Sequence, residues 1–370
     1  MAKSDSPIEL TKQDPRLDIA RCMQIARKEC GKGLFAQVSD MLSLALGPGK
    51  LKPTDYYYYG LYDDSRFSDE AKRAFIGKRI QQKIHLKCST RTWWALAHDK
   101  LVCYAMLAGL GAPIPNTVAL YHARRNFADV PVLRDAGALA DKLRGDMPYP
   151  FFSKPVTGMW SAGSVLVESF DAAGDSLVFP NGATLGVDDF VAIVGRFTDD
   201  GYLFQEPLKP HPVVAAICGE RVSTARIMVA LGKDGAEILH AIWKIPVGDN
   251  VADNFWREGN MLGLVDVESG RVTRVVQGVG PDQRQVETHP DTGARIIGAD
   301  LPDWDALTSL CLKHAASLSG LRLQAWDIAM CPEGPVAMEI NIGGDVNLPQ
   351  LAAGAGLLDE RFRKFLDGID

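Results

Sequence analysis

Two short segments near the C-terminus of this chain carry polar residues whose types and spacing could do chemistry. Asp327 lies in the segment WDIA, and Glu339 and Asn341 lie in the segment AMEIN. Both segments read as strands, in which successive side chains point to opposite faces. Glu339 and Asn341 therefore share one face, and the apolar residues between them occupy the other.

The stretch PEGP joins these two segments into a predicted hairpin. A three-residue loop, Pro332 to Gly334, places Cys331 opposite Pro335 and Asp327 opposite Glu339. Side chains opposite each other in a hairpin have Cβ atoms about 5 Å apart. The prediction depends on loop length, because a shift of one residue moves Asp327 to the other face.

The paired carboxylates of this hairpin suggest a metal site. Two adjacent carboxylates raise each other's pKa unless a cation lies between them. Two carboxylates and one amide suit Mg²⁺, with Mn²⁺ as a substitute, and we expect one or two ions. The alternative is a solvated sheet face, which would normally carry Thr, Lys and Arg where this face offers three alanines. The opposite face is predicted to be core and comprises Trp326, Ile328, Met330, Val336, Met338 and Ile340.

Four basic side chains stand out by their surroundings. Lys100 lies at the start of a predicted helix, where it is either a surface residue or part of a site. Lys154 follows the apolar strand FFS, and Arg226 and Lys244 lie within apolar strands. A charge in an apolar strand is costly when unpaired, so a site role or a buried ion pair are the two interpretations for Arg226.

Glycine-rich segments offer weaker signals. The chain has no P-loop and no Rossmann fingerprint. The loop KPVTGMWSAGS at 154–164 is either an ordinary turn or a flexible lid whose backbone N–H groups cover phosphates. The polar segment 248–263 is either a surface excursion or an element that covers a substrate. His240 is interpreted as a packed strand residue, and no Ser-His-Asp or Cys-His nucleophile signature is present.

The elements that position these residues indicate an α+β protein. Helical spacing is predicted at 15–46, at 68–84 with Ser68 as N-cap, at 98–109 and at 302–319. The tyrosines at 56–59 are expected to pack between helices rather than to form a ligand platform. Short strands separated by glycine-rich turns begin at residue 151. We divide the chain into a helical region at 1–92, a connecting segment at 93–150, a lid subdomain at 151–208 and a C-terminal subdomain at 209–370.

Composition narrows the classes of function. The chain has 370 residues, 46% hydrophobic content and a formal net charge of −6. The charge argues against a nucleic-acid partner or an anionic membrane partner. Seven scattered cysteines read as reduced thiols, and the polar N-terminus lacks the apolar stretch of a signal peptide. We therefore expect a cytoplasmic protein.

Taken in order, these segments resemble the ATP-grasp superfamily over roughly residues 95–358. The run from HPDTGARIIG to NLPQLAAGAGLL is similar to the sugar-transfer-associated, alpha-L-glutamate ligase-related branch. The resemblance implies two α+β subdomains that clasp ATP, here with a mostly helical N-terminal region attached. One departure concerns the segment 248–263, where Asn260 stands at a position that the branch tends to fill with glycine.

The resemblance also implies roles for individual residues. Lys100 and Lys154 would contact the phosphates, and Arg226 and Lys244 would be catalytic near the γ-phosphate or an acyl phosphate. The magnesium ligands would be Asp327, Glu339 and Asn341. The segment that holds adenine would comprise Gln205, Glu206 and Leu208. The loop residues over the phosphates would be Thr157, Gly158, Ser161, Gly163 and Ser164. Substrate contacts would come from Asp253, Asn254 and Arg257.

The implied activity is ATP-dependent ligation of a carboxylate to an amine through an acyl phosphate, with release of ADP and phosphate. The expected partners are thus a small-molecule carboxylate and a small-molecule amine, and a homodimer is left open. Two alternatives remain at this point: a phosphotransferase that stops at a phosphorylated product, and a non-catalytic ATP-binding protein.

Overall fold

A computed structural model describes residues 8, 17–158, 161–250 and 252–369 of the chain. The expectation that no signal peptide precedes the first helix concerns residues that lie mostly outside this part. Two positions of the predicted lid, 159 and 160, and position 251 in the polar segment also lie outside it.

The chain folds into helices and strands that alternate after a helical N-terminal region. The helices are α1 Ile19–Cys30, α2 Leu34–Leu46, α3 Pro53–Tyr58, α4 Asp69–Arg73, α5 Lys78–Cys88, α6 Trp94–His98, α7 Lys100–Gly109, α8 Ala136–Arg144, α9 Val187–Val194, α10 Pro212–Cys218, α11 Trp304–Ala315, α12 Asn347–Ala353 and α13 Glu360–Asp367. The strands are β1 Thr117–Tyr121, β2 Val132–Leu133, β3 Phe151–Pro155, β4 Val165–Val167, β5 Ser169–Asp171, β6 Ser176–Val178, β7 Thr184–Gly186, β8 Tyr202–Gln205, β9 Thr224–Gly232, β10 Gly235–Ile245, β11 Met261–Val265, β12 Val272–Gln277, β13 Arg284–Gln285, β14 Leu323–Cys331 and β15 Gly334–Ile342.

The predicted helices exist, but two of them are split. The first breaks where Gly31 adopts the left-handed conformation and ends α1. The helix predicted at 68–84 begins after Ser68, whose hydroxyl caps α4, and then stops. It stops because the next backbone groups bond elsewhere: the N–H of Ile76 donates to Gln350 Oε1 at 2.7 Å, and the N–H of Gly77 donates to the Gly49 carbonyl. Helix α5 then starts anew.

Two larger sheets organise the rest of the chain. The five-stranded sheet has the order β2-β1-β8-β3-β4, and its core lies under α8 and α9. The seven-stranded sheet has the order β13-β12-β11-β10-β9-β14-β15 and is antiparallel throughout. A third sheet consists of three short strands in the order β5-β6-β7. These strands follow β4 of the five-stranded sheet along the chain.

The faces of the seven-stranded sheet are covered by different parts of the chain. One face forms the main core with α11 and includes Trp243, Trp326 and Ile328. The N-terminal helices and α12 share a second cluster with Ile242 and Leu262 on the other face. The N-terminal helical region is therefore packed on the same side of the sheet as the charged residues described below.

No helix in the described residues is long and apolar enough to span a bilayer. The seven cysteines are all unpaired, and all but Cys30 are buried.

Candidate active site

The hairpin of β14 and β15 pairs Asp327 with Glu339, as predicted, but not by the predicted route. The loop has two residues, since Cys331 pairs with Gly334 and Met330 with Pro335, so the three-residue loop is wrong. A β-bulge at Met338 then inserts one extra residue between the pair Ile328–Ala337 and the pair Asp327–Glu339. The bulge shifts the register by one and cancels the difference in loop length.

The bulge also changes which side chains face the site. Ala337 is buried in the main core, although it was expected beside Asp327. Met338 lines the cleft and Val336 is only half-buried, although both were expected in the core. These two assignments are wrong because simple alternation was applied across an irregular position.

Three adjacent strands line up the acidic and basic groups. Arg226 on β9 is directly opposite Asp327 on β14, which is directly opposite Glu339 on β15. Lys244 lies on the next strand, β10, two residues beyond the partner of Arg226. Since residues two apart on a strand share a face, the four side chains meet on one surface of the sheet.

Asp327 is the centre of this group. Arg226 donates to both of its carboxylate oxygens, from Nε and Nη2, at 2.7 Å each. Lys244 Nζ donates to Oδ2 at 3.0 Å. Burial would raise the pKa of Asp327, but Arg226 and Lys244 outweigh it and hold that pKa well below its usual range. The carboxylate thus stays ionised in a nearly dry position.

The two basic partners are fixed by further carboxylates. Asp345 accepts from Arg226 Nη1 at 3.1 Å, and Asp253 lies 3.4 Å from Lys244 Nζ. Burial alone would lower the pKa of Lys244, but Asp253 and Asp327 outweigh it and raise that pKa. Both cations are therefore charged and held in place.

Asp345 is a site residue that sequence reasoning missed. It follows two glycines, and its backbone has φ +41°, in the left-handed region that few non-glycine residues adopt. A carboxylate in the segment GGDVN, directly after the Glu-x-Asn strand, was a signal that could have indicated it. Its pairing with Arg226 could not be predicted locally, because the two residues are 119 positions apart in the chain.

Lys100 and Lys154 approach the same cleft from the five-stranded sheet. Asp99 caps α7 with its side chain, and the Lys100 N–H donates to the Val156 carbonyl, which ties the start of α7 to the end of β3. The Lys100 Nζ donates to the Gly158 carbonyl at 2.9 Å. Lys154 Nζ lies over the rings of Tyr104 and Phe152, at 5.6 and 5.9 Å from their centroids.

These two lysines differ from Lys244 in their electrostatics. The pKa of Lys100 is lowered to about 8, because burial and the nearby Lys154 outweigh the opposing effect of Glu339. Burial likewise lowers the pKa of Lys154. Neither ammonium has a carboxylate within ion-pair distance in the described residues. Both lysines are therefore suited to bind an anionic group of a ligand.

The cleft between the sheets has a volume of about 1540 Å³ and collects most of the predicted site residues. Those that line it are Lys100, Lys154, Gly158, Ser161, Ser164, Gln205, Glu206, Leu208, Arg226, Lys244, Asp253, Asn254, Arg257, Asp327, Glu339 and Asn341. Thr157 and Gly163 do not line it. Thr157 is exposed, and the Gly163 carbonyl accepts from the Tyr202 hydroxyl.

The segment that follows β8 presents backbone groups to the cleft. The Glu206 N–H donates to the Asn116 carbonyl at 3.0 Å. No hydrogen bond within the described residues engages the Glu206 carbonyl or the Leu208 N–H. The segment therefore offers one acceptor and one donor, two residues apart, at the cleft wall.

The polar segment 248–263 covers one side of the cleft. Asp253 Oδ2 accepts from both the N–H and the hydroxyl of Thr224, at 2.7 and 2.6 Å. Arg257 Nη2 donates to the Ser161 carbonyl at 3.4 Å and so contacts the glycine-rich loop. Asp253 thus anchors the segment, while Arg257 joins it to the predicted lid.

Asn260, which stands where a glycine was expected, holds the segment closed. Its Oδ1 accepts from the Val247 N–H and the Asn250 side chain, at 2.8 and 2.9 Å. Its Nδ2 donates to the carbonyls of Ala252 and Asn254, at 3.0 and 2.8 Å. All four hydrogen-bonding positions of this buried amide are used, so the side chain cross-links the segment.

The N-terminal helical region also contributes to the cleft. One face of α5 lines the cleft with Lys78, Gln81, Gln82 and His85. Their spacing of three, four and seven residues is that of a single helix face. Tyr58 and Tyr59 line the cleft as well, whereas Tyr56 and Tyr57 are fully buried in the helical core.

The two glycines after β15 lie where neighbouring side chains leave no room for a Cβ. A Cβ on Gly343 would lie 1.9 Å from Cδ2 of His85, and one on Gly344 would lie 2.6 Å from Cε of Met228. Both residues have positive φ, +64° and +78°. The pair therefore lets the chain turn while α5 and β9 pack directly against its backbone.

Two sheets that enclose a cleft lined by paired lysines, an arginine and a strand-borne Glu-x-Asn define an ATP-grasp protein. A family model described as sugar-transfer associated ATP-grasp matches residues 79–365, more than half of the chain. The chain belongs to that family.

Comparisons with other proteins give distant matches only. Among curated proteins no sequence matches the chain. The solved structures that it is similar to include the ATP-grasp ligase PsnB complexed with minimal precursor (15% identity, TM-score 0.39, covering 76% of this chain and 64% of that one). They also include an L-amino acid ligase from Bacillus licheniformis (13%, 0.39, 75% and 50%) and a D-alanine–D-alanine ligase from Bacillus anthracis complexed with ATP (14%, 0.39, 76% and 67%). The chain spans less than two thirds of the first two proteins.

Proposed function

We propose that this protein is an ATP-dependent carboxylate–amine ligase that forms an amide through an acyl phosphate. The observation that carries the proposal is the row Arg226, Asp327 and Glu339 across three strands. This row faces a cleft with two lysines, one buried and one half-buried, that lack carboxylate partners in the described residues. Such a site supplies charge and position rather than a nucleophile, which is what phosphoryl transfer requires.

The nucleotide would lie between the two sheets. Lys100 and Lys154 would bind its phosphates, since an anion restores the charge that burial disfavours. The Glu206 carbonyl and the Leu208 N–H would bind the adenine edge. The glycine-rich loop would cover the phosphates, with Arg257 holding its Ser161 carbonyl.

The residues present fit a magnesium ion that accompanies ATP. No three His, Cys, Asp or Glu side chains group to hold a metal in the described ranges, so carboxylates alone do not form a site. Oxygen donors are nevertheless in place. Asp327 Oδ1 accepts one hydrogen bond, from Arg226, in the part of the chain that the structure describes. Asn341 Nδ2 donates to Glu339 Oε1 at 3.2 Å, which leaves the amide oxygen for a cation. Asp327, Glu339 and Asn341 would hold Mg²⁺, and the ion would neutralise phosphate charge during transfer.

The chemistry has two balanced steps. An oxygen of the substrate carboxylate attacks the γ-phosphorus, the bond to the β-phosphate oxygen breaks, and ADP leaves. The amine nitrogen then attacks the acyl carbon, loses its proton, and phosphate leaves. Arg226 and Lys244 would stabilise the negative charge on the transferred phosphoryl group.

The α5 face would bind the acid or amine substrate. Gln81 Oε1 accepts from Asn347 Nδ2 at 3.2 Å, and Asn347 Nδ2 lies 3.4 Å from Asp345 Oδ1. Asp345 in turn accepts from Arg226, so this face is two residues from the transfer centre. Asn254 and Arg257 would contact the same substrate from the opposite segment.

Trapping with hydroxylamine tests the proposal whatever the natural amine substrate is. The protein, MgATP and a panel of amino acids and other small carboxylic acids are incubated with hydroxylamine, and hydroxamate, ADP and phosphate are measured. A ligase converts the acyl phosphate to a hydroxamate in step with ADP. A phosphotransferase that acts on a hydroxyl would give ADP and a stable phosphate ester without hydroxamate, and a non-catalytic binder would give neither. A phosphotransferase that releases an acyl phosphate would also give hydroxamate, so the reaction is repeated with a panel of amines in place of hydroxylamine, where only a ligase forms an amide.

A matched pair of variants assigns the activity to the site. Glu339→Gln removes a proposed metal ligand and should lower hydroxamate formation about 100-fold or more. Glu333→Gln makes the same change in the exposed turn of the same hairpin and should leave the rate unchanged. Equal activity in the two variants would refute the site assignment.

A further inference from the structure

The side of helix α5 that lines the cleft has the chemistry to bind one of the two proposed substrates. The cleft, at about 1540 Å³, is larger than the roughly 300–1,000 Å³ of a pocket for one small ligand, so it has room for a substrate beside the nucleotide. The α5 residues that line it are Lys78, Gln81, Gln82 and His85. Whether these side chains offer hydrogen-bond donors or acceptors decides which substrate they suit.

The amide of Gln350 is fully buried and has a fixed orientation. Its Oε1 accepts from the Ile76 N–H at 2.7 Å, and its Nε2 donates to the Ile76 carbonyl at 3.1 Å. A backbone N–H can only donate and a backbone carbonyl can only accept, so the oxygen and nitrogen of this amide cannot be exchanged.

A series of hydrogen bonds transmits this orientation to α5. Gln350 Nε2 also donates to the Tyr59 hydroxyl at 3.0 Å, and that hydroxyl donates to Asn347 Oδ1 at 2.8 Å. Asn347 Nδ2 then donates to Gln81 Oε1 at 3.2 Å. Asn347 Nδ2 also lies 3.4 Å from Asp345 Oδ1, a carboxylate oxygen that needs a donor, which fixes the same orientation independently. The other end of the Gln81 amide is therefore Nε2, with its two N–H donors.

Gln81 Nε2 and Lys78 Nζ together offer donors and a positive charge to the cleft. Gln81 Nε2 makes no hydrogen bond in the part of the chain that the structure describes. Lys78 precedes Gln81 by three residues, so the two share one helix face and are about 4.5 Å apart along its axis. No carboxylate of the described residues lies within ion-pair distance of Lys78 Nζ, and α5 contains no Asp or Glu.

The carboxylates around α5 already have partners. Asp55 lies beside Gly77, the N-cap of α5, and accepts from the Lys52 N–H at 2.9 Å. Asp345 accepts from Arg226 at 3.1 Å. The ammonium group of an amine substrate would therefore meet N–H donors and a cation along α5, whereas a carboxylate would meet hydrogen-bond partners. This face suits the acid substrate.

We propose, building on the ligase function above, that the acid substrate is a dicarboxylic acid and that Gln81 and Lys78 bind its second carboxylate. The carboxylate that reacts must lie beside the γ-phosphate, near Arg226. Only Asp345 and Asn347 separate Arg226 from Gln81 along the row of hydrogen-bonded side chains. A second carboxylate a few bonds away in the same molecule reaches Gln81 Nε2 and Lys78 Nζ.

Matched pairs of acids test the proposal. The probes are the unbranched dicarboxylic acids from malonate to suberate, each with its half-amide, which has the same shape and one charge fewer. Titration calorimetry measures their dissociation constants on the full chain, with and without a non-hydrolysable MgATP analogue, and the same acids enter the hydroxylamine assay with MgATP. At least one dicarboxylate should bind about fivefold or more tightly than its half-amide. The amide oxygen still accepts from Gln81, so this ratio measures the ion pair with Lys78.

Three variants assign the preference to α5. Lys78→Gln should bring the two dissociation constants within about twofold of each other, through weaker binding of the dicarboxylate. Lys83→Gln makes the same change at an exposed position of α5 that does not line the cleft, and should leave the ratio unchanged. Gln81→Glu keeps the oxygen that accepts from Asn347 but replaces the donor with a carboxylate oxygen, so it should weaken dicarboxylate binding more than about tenfold.

The result separates this proposal from the ligase proposal. Circular dichroism of both lysine variants should match the wild type, because both side chains are exposed. Half-amides that bind and react like the dicarboxylates, a preference that persists in Lys78→Gln, or no binding of any dicarboxylate at about 10 mM would overturn the proposal. A preference for the dicarboxylate in calorimetry without any hydroxamate would support the carboxylate site and overturn the ligase function.

Discussion

Under the proposed function, the lowered pKa of Lys100 predicts that the affinity for ATP depends on pH. Free of ligand, this ammonium has a pKa of about 8, because it is buried and lies near Lys154. Phosphate contact favours the charged form, so binding must raise that pKa. The complex therefore holds a proton that the free protein has lost above pH 8, and affinity falls as pH rises.

The size of the effect follows from the titration. With a pKa of about 8, the ammonium fraction falls from about nine tenths at pH 7 to about one tenth at pH 9, so MgATP should bind about tenfold more weakly at pH 9. At pH 8 binding should take up about half a proton. The last phosphate proton of ATP titrates near pH 6 and does not contribute in this range.

Titration calorimetry with MgATP at several pH values, in buffers of different ionisation enthalpy, measures both quantities. Lys100→Arg is the matched control, because a guanidinium stays charged throughout and should flatten the profile. Since burial also lowers the pKa of Lys154, Lys154→Arg should remove only part of the slope. An unchanged slope in Lys100→Arg, or no proton uptake by the wild type at pH 8, would refute the reasoning.

Two further predictions concern the turn after β15. Asp345→Asn keeps a residue that tolerates positive φ but removes the charge beside Arg226. We expect kcat to fall about tenfold, while KM for ATP changes less than about twofold. A rise in KM as large as the fall in kcat would argue against a positioning role for Asp345. Asp345→Ala should in addition lower the free energy of unfolding by about 1 kcal/mol, measured with urea. Gly343→Ala should lower the free energy of unfolding by at least about 2 kcal/mol, because the added Cβ would lie 1.9 Å from the His85 ring. Adding His85→Ala should restore the part of this loss that the ring contact causes, but not the part that the positive φ causes. Purely additive losses would mean that the ring contact is not the cause.

The parts of the site that could be predicted are those that local sequence specifies. Asp327 and Glu339 meet within one hairpin, and two apolar strands with a Pro-Gly turn were enough to indicate it. The loop was nevertheless one residue shorter than predicted, and the pairing survived only through the bulge at Met338. A bulge depends on packing against the rest of the sheet, and the hairpin sequence alone does not reveal it.

Long-range pairing accounts for what the sequence did not reveal. Arg226 is 101 residues from Asp327 and 119 from Asp345, so its partners depend on the order of strands in the sheet. The orientation of helix α2 also depends on contacts that are distant in sequence. Its spacing predicts a helix, but which side faces inward depends on Gln37 and Asp40 finding partners elsewhere, including Tyr57 and Lys72.

The charge arrangement of the cleft separates the cations into two groups with different tasks. Arg226 and Lys244 are already held by carboxylates, and Arg226 makes three such hydrogen bonds, so binding of an anion adds little to their order. Lys100 and Lys154 rest on a backbone carbonyl and on aromatic rings, which a phosphate can readily replace as partners. Under the proposed function, the lysines would therefore be the groups that ATP contacts first and that set its affinity. Arg226, which carboxylates already hold in place, would set the position of the transferred phosphoryl group. Substitutions at the lysines should act mainly on binding, and substitutions around Arg226 should act mainly on turnover.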